Sequence, residues 1–213
     1  MLLASIVSRA ALAFATLALL ALGATAAPCD ILLNEILAGP ARDWNADGVV
    51  SARDDEWIEL WNQGATPVDL SSFFVTDADS TERYAFTGML GPGELRLVFG
   101  AQAVEWQRAN GRSVAGLSLN NAGDTVRLWR IVGPDTLLVD AYAYKSHEGA
   151  NDRSSGRRVD NAAAWILFDG LDPYTGSLDP AGTGCPPTPG AANVCPATEA
   201  EPVSWGRMKS LYR

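Results

Sequence analysis

The chain has 213 residues, 47% of them hydrophobic, with 16 Lys+Arg against 25 Asp+Glu and a formal charge of −9. That apolar fraction and the seven Trp fit one well-buried globular domain and exclude disorder as the main state. The acidic balance argues against a nucleic-acid backbone as principal partner, and the single His excludes a His-rich zinc site.

Arg9 is the only charge before Asp30, and the apolar run from Ala10 to Leu22 is too short to span a bilayer. With Ala24-Thr25-Ala26 as a cleavage site, residues 1–26 read as a secretory signal peptide. No second apolar run of spanning length follows. The expectation is a mature chain without a transmembrane anchor, starting at Ala27. It is secreted, periplasmic or displayed at the cell surface.

Ile31 to Leu37 is a short apolar run stopped by Gly39-Pro40, and reads as a strand. Next comes an acidic segment, Asp43-Trp44-Asn45-Ala46-Asp47-Gly48-Val49-Val50-Ser51-Ala52-Arg53-Asp54. It matches the twelve-residue calcium loop, with oxygen side chains at positions 1, 3, 5 and 9, Gly at 6 and a carboxylate at 12. Alternate side chains of such a loop turn inward around a hard cation, and the Gly takes the sharp turn. The expected ligands are Asp43, Asn45, Asp47, the Val49 carbonyl, Ser51 and Asp54, holding a structural Ca2+. Asp54 departs from the usual bidentate Glu. A strand precedes the loop, so it reads as an insertion between strands rather than a helix–loop–helix.

Glu56 to Asn62, Val68 to Val75, Tyr84 to Phe86 and Glu94 to Phe99 follow as strand-length runs bounded by Gly, Pro, Asp or Asn. Gln102 to Asn110 is the one short helix. Thr125 to Ile131 alternates cleanly, and Leu137 to Tyr144 and Ala164 to Phe168 complete the set. The pattern predicts an all-β, antiparallel sandwich or barrel over residues 27–195. Cys185 and Cys195 bracket a Pro-rich loop, and a local bridge between them is favoured over one from Cys29 to Cys195. A polar linker, 196–202, leads to a basic, amphipathic tail, 203–213, that reads as an envelope-attachment or surface-docking segment.

Several pieces together resemble the bacterial lamin-tail domain family. They are Asn34-Glu35-Ile36, Asp54 to Asn62, Gly64 to Ser71, Leu90 to Glu94, Leu117 to Leu128, Val139 to Tyr144 and Thr188-Pro189-Gly190-Ala191-Ala192-Asn193. The resemblance runs through nearly all of residues 31–193. It implies an immunoglobulin-like β-sandwich and a non-catalytic interaction role at a surface. It also implies that the loop 43–54 is native to the domain, since bacterial members carry a similar D-x-N-x-D-G segment. Such domains accompany secreted phosphoesterases and nucleases, so a part as their accessory domain is a further expectation.

No G-x-S-x-G elbow is present, and Ser154, Ser155, His147 and Glu148 are residue types too common to signal a hydrolase by themselves. The chain is read as having no catalytic residues. Its expected partner is a protein or polysaccharide surface ligand. The rival function is calcium-dependent carbohydrate binding through Trp44, which loop position 2 should point outward, while Trp57, Trp61, Trp129 and Trp165 are expected to fill the sandwich core.

Overall fold

A computed structural model describes residues 30–159 and 161–195. The expected signal peptide 1–26, Cys29, the linker 196–202 and the tail 203–213 lie outside the described residues. The described residues form eleven strands: β1 (Ile31–Leu37), β2 (Trp57–Asn62), β3 (Val68–Asp69), β4 (Phe73–Thr76), β5 (Glu82–Ala85), β6 (Met89–Leu90), β7 (Leu95–Phe99), β8 (Gly123–Val132), β9 (Asp135–Lys145), β10 (Ser154–Arg158) and β11 (Asn161–Phe168). One helix, α1 (Gly100–Ala109), interrupts them.

Alternation decides which side chains go where. Leu33 and Ile36 of β1, Ile58 and Leu60 of β2, and Val98 of β7 turn to one side of a five-stranded antiparallel sheet ordered β11-β10-β1-β2-β7. They pack against Phe73, Val75, Val126, Leu128 and Tyr144 from a four-stranded sheet ordered β5-β4-β8-β9. The result is the immunoglobulin-like sandwich anticipated above, with a two-stranded ribbon of β3 and β6 beside it.

Two expectations are corrected. The run Val68 to Val75 is not one strand. Asp69 folds its carboxylate back onto the Ser71 amide and hydroxyl, starting a tight 3-10 turn over Leu70–Ser72 that separates β3 from β4. The tryptophans do not all fill the inter-sheet core either. Trp57 is fully buried, but its place in β2 alternates with Ile58 and puts it on the outer face, opposite Leu37. Trp61, Trp129 and Trp165 are half-buried; Trp129 stacks on Phe74 and Trp165 on Tyr142.

The outer face is covered by two loops, 38–56 and 169–195. The second ends in a strap, residues 186–194, closed by a disulfide between Cys185 and Cys195 with the Cα atoms 5.7 Å apart. The first is pinned where α1 begins. The Gly100 amide donates to the Glu56 carbonyl at 2.7 Å, and a Cβ on Gly100 would lie 1.8 Å from the Arg53 carbonyl oxygen. Backbone rather than a flexible side chain would have to move. Gly100→Ala is therefore expected to destabilise the domain by about 1–3 kcal/mol or more in urea unfolding; an unchanged midpoint would refute the close approach.

Candidate functional site

The acidic loop joins β1 to β2 and folds through short side chains biting their own backbone. Asp43 accepts from the Asp47 amide at 3.1 Å and the Gly48 amide at 2.8 Å, while Asn45 accepts from Asp47 at 2.9 Å. Asp47 in turn accepts from the Val49 amide at 2.8 Å. Asp43 and Asn45 thus converge on one amide, and Asn45 touches the Asp47 carboxylate at 3.2 Å. Gly48 supplies the positive φ, +92°, that the reversal needs. Side-chain oxygens from positions 1 and 3 thus lie together over the Asp47 amide.

The second half of the loop is arranged differently. Ser51 accepts the Asp54 amide at 3.1 Å, but the Asp54 carboxylate is turned to the Arg53 guanidinium, with contacts of 2.6 and 3.0 Å. That hydrogen-bonded cation holds the Asp54 carboxyl below the usual range. Closure falls to its neighbour. Asp55 is fully buried and accepts from the amides of Trp44, Asn45 and Ser51 at 2.8, 2.9 and 2.7 Å. Among the described residues no group of three His, Cys, Asp or Glu side chains is gathered as a metal set. The oxygen types at Asp43, Asn45 and Asp47 are those that would serve a hard cation. For Asp54 to serve as a ligand it would have to leave Arg53, and an exposed ion pair of this kind opposes that by about 0.2–1 kcal/mol.

Trp44 does not point outward. Its ring meets Trp57 edge-on at 6.2 Å, and its Nε1 donates to Asp152 at 2.8 Å. Asp152 also accepts from the Ala41 amide and from Arg42, and its own amide reaches the Gly39 carbonyl. One carboxylate from the β9–β10 connection therefore anchors the start of the loop. Nothing in the local sequence around residue 152 announces this role.

The residue types that suggested hydrolase chemistry are committed elsewhere. Ser154 donates to Glu35, Ser155 donates to Glu148, and Glu148 also accepts from the Tyr142 hydroxyl and the Lys145 amide. His147 is buried, with Nε2 at 3.2 Å from the Pro180 carbonyl and its ring against Tyr174. No serine hydroxyl faces the imidazole among these contacts.

A second polar cluster, unread in the sequence, lies under the strap. Glu35 and Glu59 occupy directly opposed positions on β1 and β2, and both are 0% exposed. Glu35 accepts from Ser154, from the Thr188 amide at 3.0 Å and from the Thr188 hydroxyl at 2.6 Å. Glu59 accepts from Asn34 at 2.6 Å and from the Gly190 amide at 2.6 Å. Asn193 ties the strap to the Asn34 and Arg157 carbonyls at 3.1 and 2.9 Å. Burial pushes the Glu35 carboxyl up to about 7 against the opposing pull of its hydrogen bonds, with the Glu59 charge adding to the rise. Burial raises Glu59 as well, and takes Glu56, on the loop's far side, up to about 8.

Two layers are joined by one buried ion pair. Arg157 of β10 donates to both oxygens of Asp140 of β9 at 2.8 and 2.6 Å, and to the Leu33 carbonyl at 2.6 Å. Asp140 also accepts the Leu33 amide at 2.9 Å.

Compared with known proteins, residues 24–146 match the family model described as the Lamin Tail Domain, which is more than half of the chain. No curated protein and no solved structure matches it.

Proposed function

The chain belongs to the lamin tail domain family, and from that premise we propose that it is an exported, non-catalytic interaction module whose loop 43–54 binds calcium as a structural ion. Lamin tail domains are immunoglobulin-like protein-interaction domains. The observation that carries the reading is how the polar groups are spent. The buried Ser, Glu and His side chains hold the fold together. The loop, by contrast, presents Asp43, Asn45 and Asp47 at the surface, drawn together by turns that leave further lone pairs open. A bound cation would neutralise an acidic segment that otherwise repels itself. Export is supported by the disulfide, which suits an oxidising compartment, and by the leader-like residues 1–26. Among the described residues no helix is long and apolar enough to cross a membrane. Sugar binding through Trp44 loses its premise, because that ring is turned edge-on against Trp57 and its N–H is already bonded.

Titrating calcium into the mature chain in a calorimeter is expected to give a saturable heat, with a higher melting temperature in calcium than in chelator. Both should vanish in Asp43→Ala/Asp47→Ala. Arg53→Ala, which frees Asp54, is expected to tighten binding by roughly 1.5–5-fold. Equal melts with and without calcium would remove the metal from the reading and leave the interaction module.

A further inference from the structure

Buried carboxylates are ordinarily paired with a cation or kept neutral. Glu35 and Glu59 face each other across β1 and β2, where like charges oppose sheet pairing. The ion pairs Arg42–Asp152, Arg53–Asp54, Arg83–Asp77, Arg112–Glu82, Arg153–Asp172 and Arg157–Asp140 all lie elsewhere. The charged groups on the packed elements do not answer the pair. Arg157 of β10 is turned to Asp140 and Arg96 of β7 binds the Thr87 and Met89 carbonyls, while Arg158 lines the surface beside Asn34 and Asn193 and is not among the groups acting on either carboxyl. Asp169, after β11, is occupied by the amides of Tyr174, Thr183 and Gly184. From the strap come neutral donors alone: the Thr188 amide and hydroxyl and the Gly190 amide.

We propose that the strap over residues 188–193 is an acid-locked clasp, held closed while Glu35 and Glu59 share a proton and released from the sheet when both ionise. With one proton between them the pair carries a single negative charge, which the strap's donors and Ser154 and Asn34 solvate in place of water. With none, two adjacent charges lie fully buried, and lifting the strap is the route by which both regain hydration. The bridge between Cys185 and Cys195 turns that movement into the swing of a tethered loop rather than loss of the chain end. What it uncovers is the outer face of β1, β2 and β10, including Asn34 and the strip along Gly156, where a Cβ would meet Asn193, Phe168 and Glu35. The clasp does not depend on the calcium reading.

The direction with pH follows from linkage. Closed, Glu35 holds a proton up to about 7; open to water, it releases that proton near the ordinary carboxyl value of 4.5. Closure is therefore fully favoured below the ordinary value and is lost as pH rises through about 7. In the full chain with its disulfide intact, amide exchange at Thr188 and Gly190, corrected for the intrinsic rate, is expected to lose at least about tenfold protection between pH 5 and pH 8. The amides of Ile58 and Leu60 in the same sheet should hold theirs. Glu59→Gln should cut the Thr188 change to less than about twofold. Carbon-13 titration of the two carboxyls in the unaltered protein reads the same device directly, with one apparent value expected above 6. Flat protection at Thr188 across that range, or both carboxyls titrating below 5, would overturn the clasp.

Discussion

Arg157→Met is expected to destabilise the protein by about 3–5 kcal/mol and to lower its melting temperature by about 6–20 °C. The guanidinium reaches Asp140 with two contacts and the Leu33 carbonyl with a third, so a strand of each sheet is tied to β1 by one side chain. Both members of the pair are nearly buried, with side chains 8% and 12% exposed. Removing the cation leaves a nearly buried carboxylate with the Leu33 and Ala141 amides, each at 2.9 Å, as its remaining donors. The loss belongs mainly to that stranded charge. Accordingly Arg157→Met combined with Asp140→Asn, which keeps an acceptor for Leu33, is expected to recover 1 kcal/mol or more relative to the single change. Urea unfolding of the four chains measures it. A single-variant loss under about 1 kcal/mol would show that water reaches the pair and that the two sheets are held by apolar packing alone.

Asp55→Ala is the second large effect. Three backbone amides at both ends of the acidic loop share one carboxylate, and each buried donor left without a partner costs about 1–3 kcal/mol. The expected loss exceeds about 3 kcal/mol. Asp54→Ala, one position earlier in the calcium register, is expected to cost under about 1 kcal/mol without metal, because it gives up an exposed pair with Arg53. Asp55→Asn should fall between, since its oxygen can still serve Trp44 and Asn45 while its NH2 meets the Ser51 amide. Calcium affinity should weaken in Asp55→Ala although that residue fills no ligand position. If Asp54→Ala proved the more damaging change in chelator, Asp55 would not be the closure of the loop.

The contrast between these neighbours shows what a one-dimensional reading reaches. Strands with clean alternation, such as Thr125 to Ile131, were legible because side-chain period alone fixes which face is buried. The helix was legible within two residues at its start. Strand β10 was not, because Ser154-Ser155-Gly156-Arg157-Arg158 carries no apolar face. Residues 154–157 are buried on both faces by partners outside the strand: Glu35 and Asn193 on one face, Asp140 and Glu148 on the other. Spacing likewise found the oxygens of Asp43, Asn45 and Asp47, whose geometry is set within five residues. It could not tell Asp54 from Asp55, a choice made by which carboxylate the packed end of the loop turns inward. The segments Asn34-Glu35, Glu59 and Thr188 to Asn193 drew notice as separate pieces of a resemblance. Their meeting in one buried network is a property of the topology, and no local pattern encodes it.

The position of β1 also sets an order of events. The first strand of the domain is the middle strand of its sheet, with β2 on one side and β10, whose Gly156 lies opposite Glu35, on the other. While a growing chain has been made only as far as residue 146, where the family match ends, β1 has an open flank, Asp140 lacks its guanidinium, and the two glutamates lack Thr188 and Gly190. Long-range closure of this kind is slow and comes last. The sandwich is therefore completed only when β10 and the strap have been made, and until then β1 and its two glutamates lack the partners that enclose them.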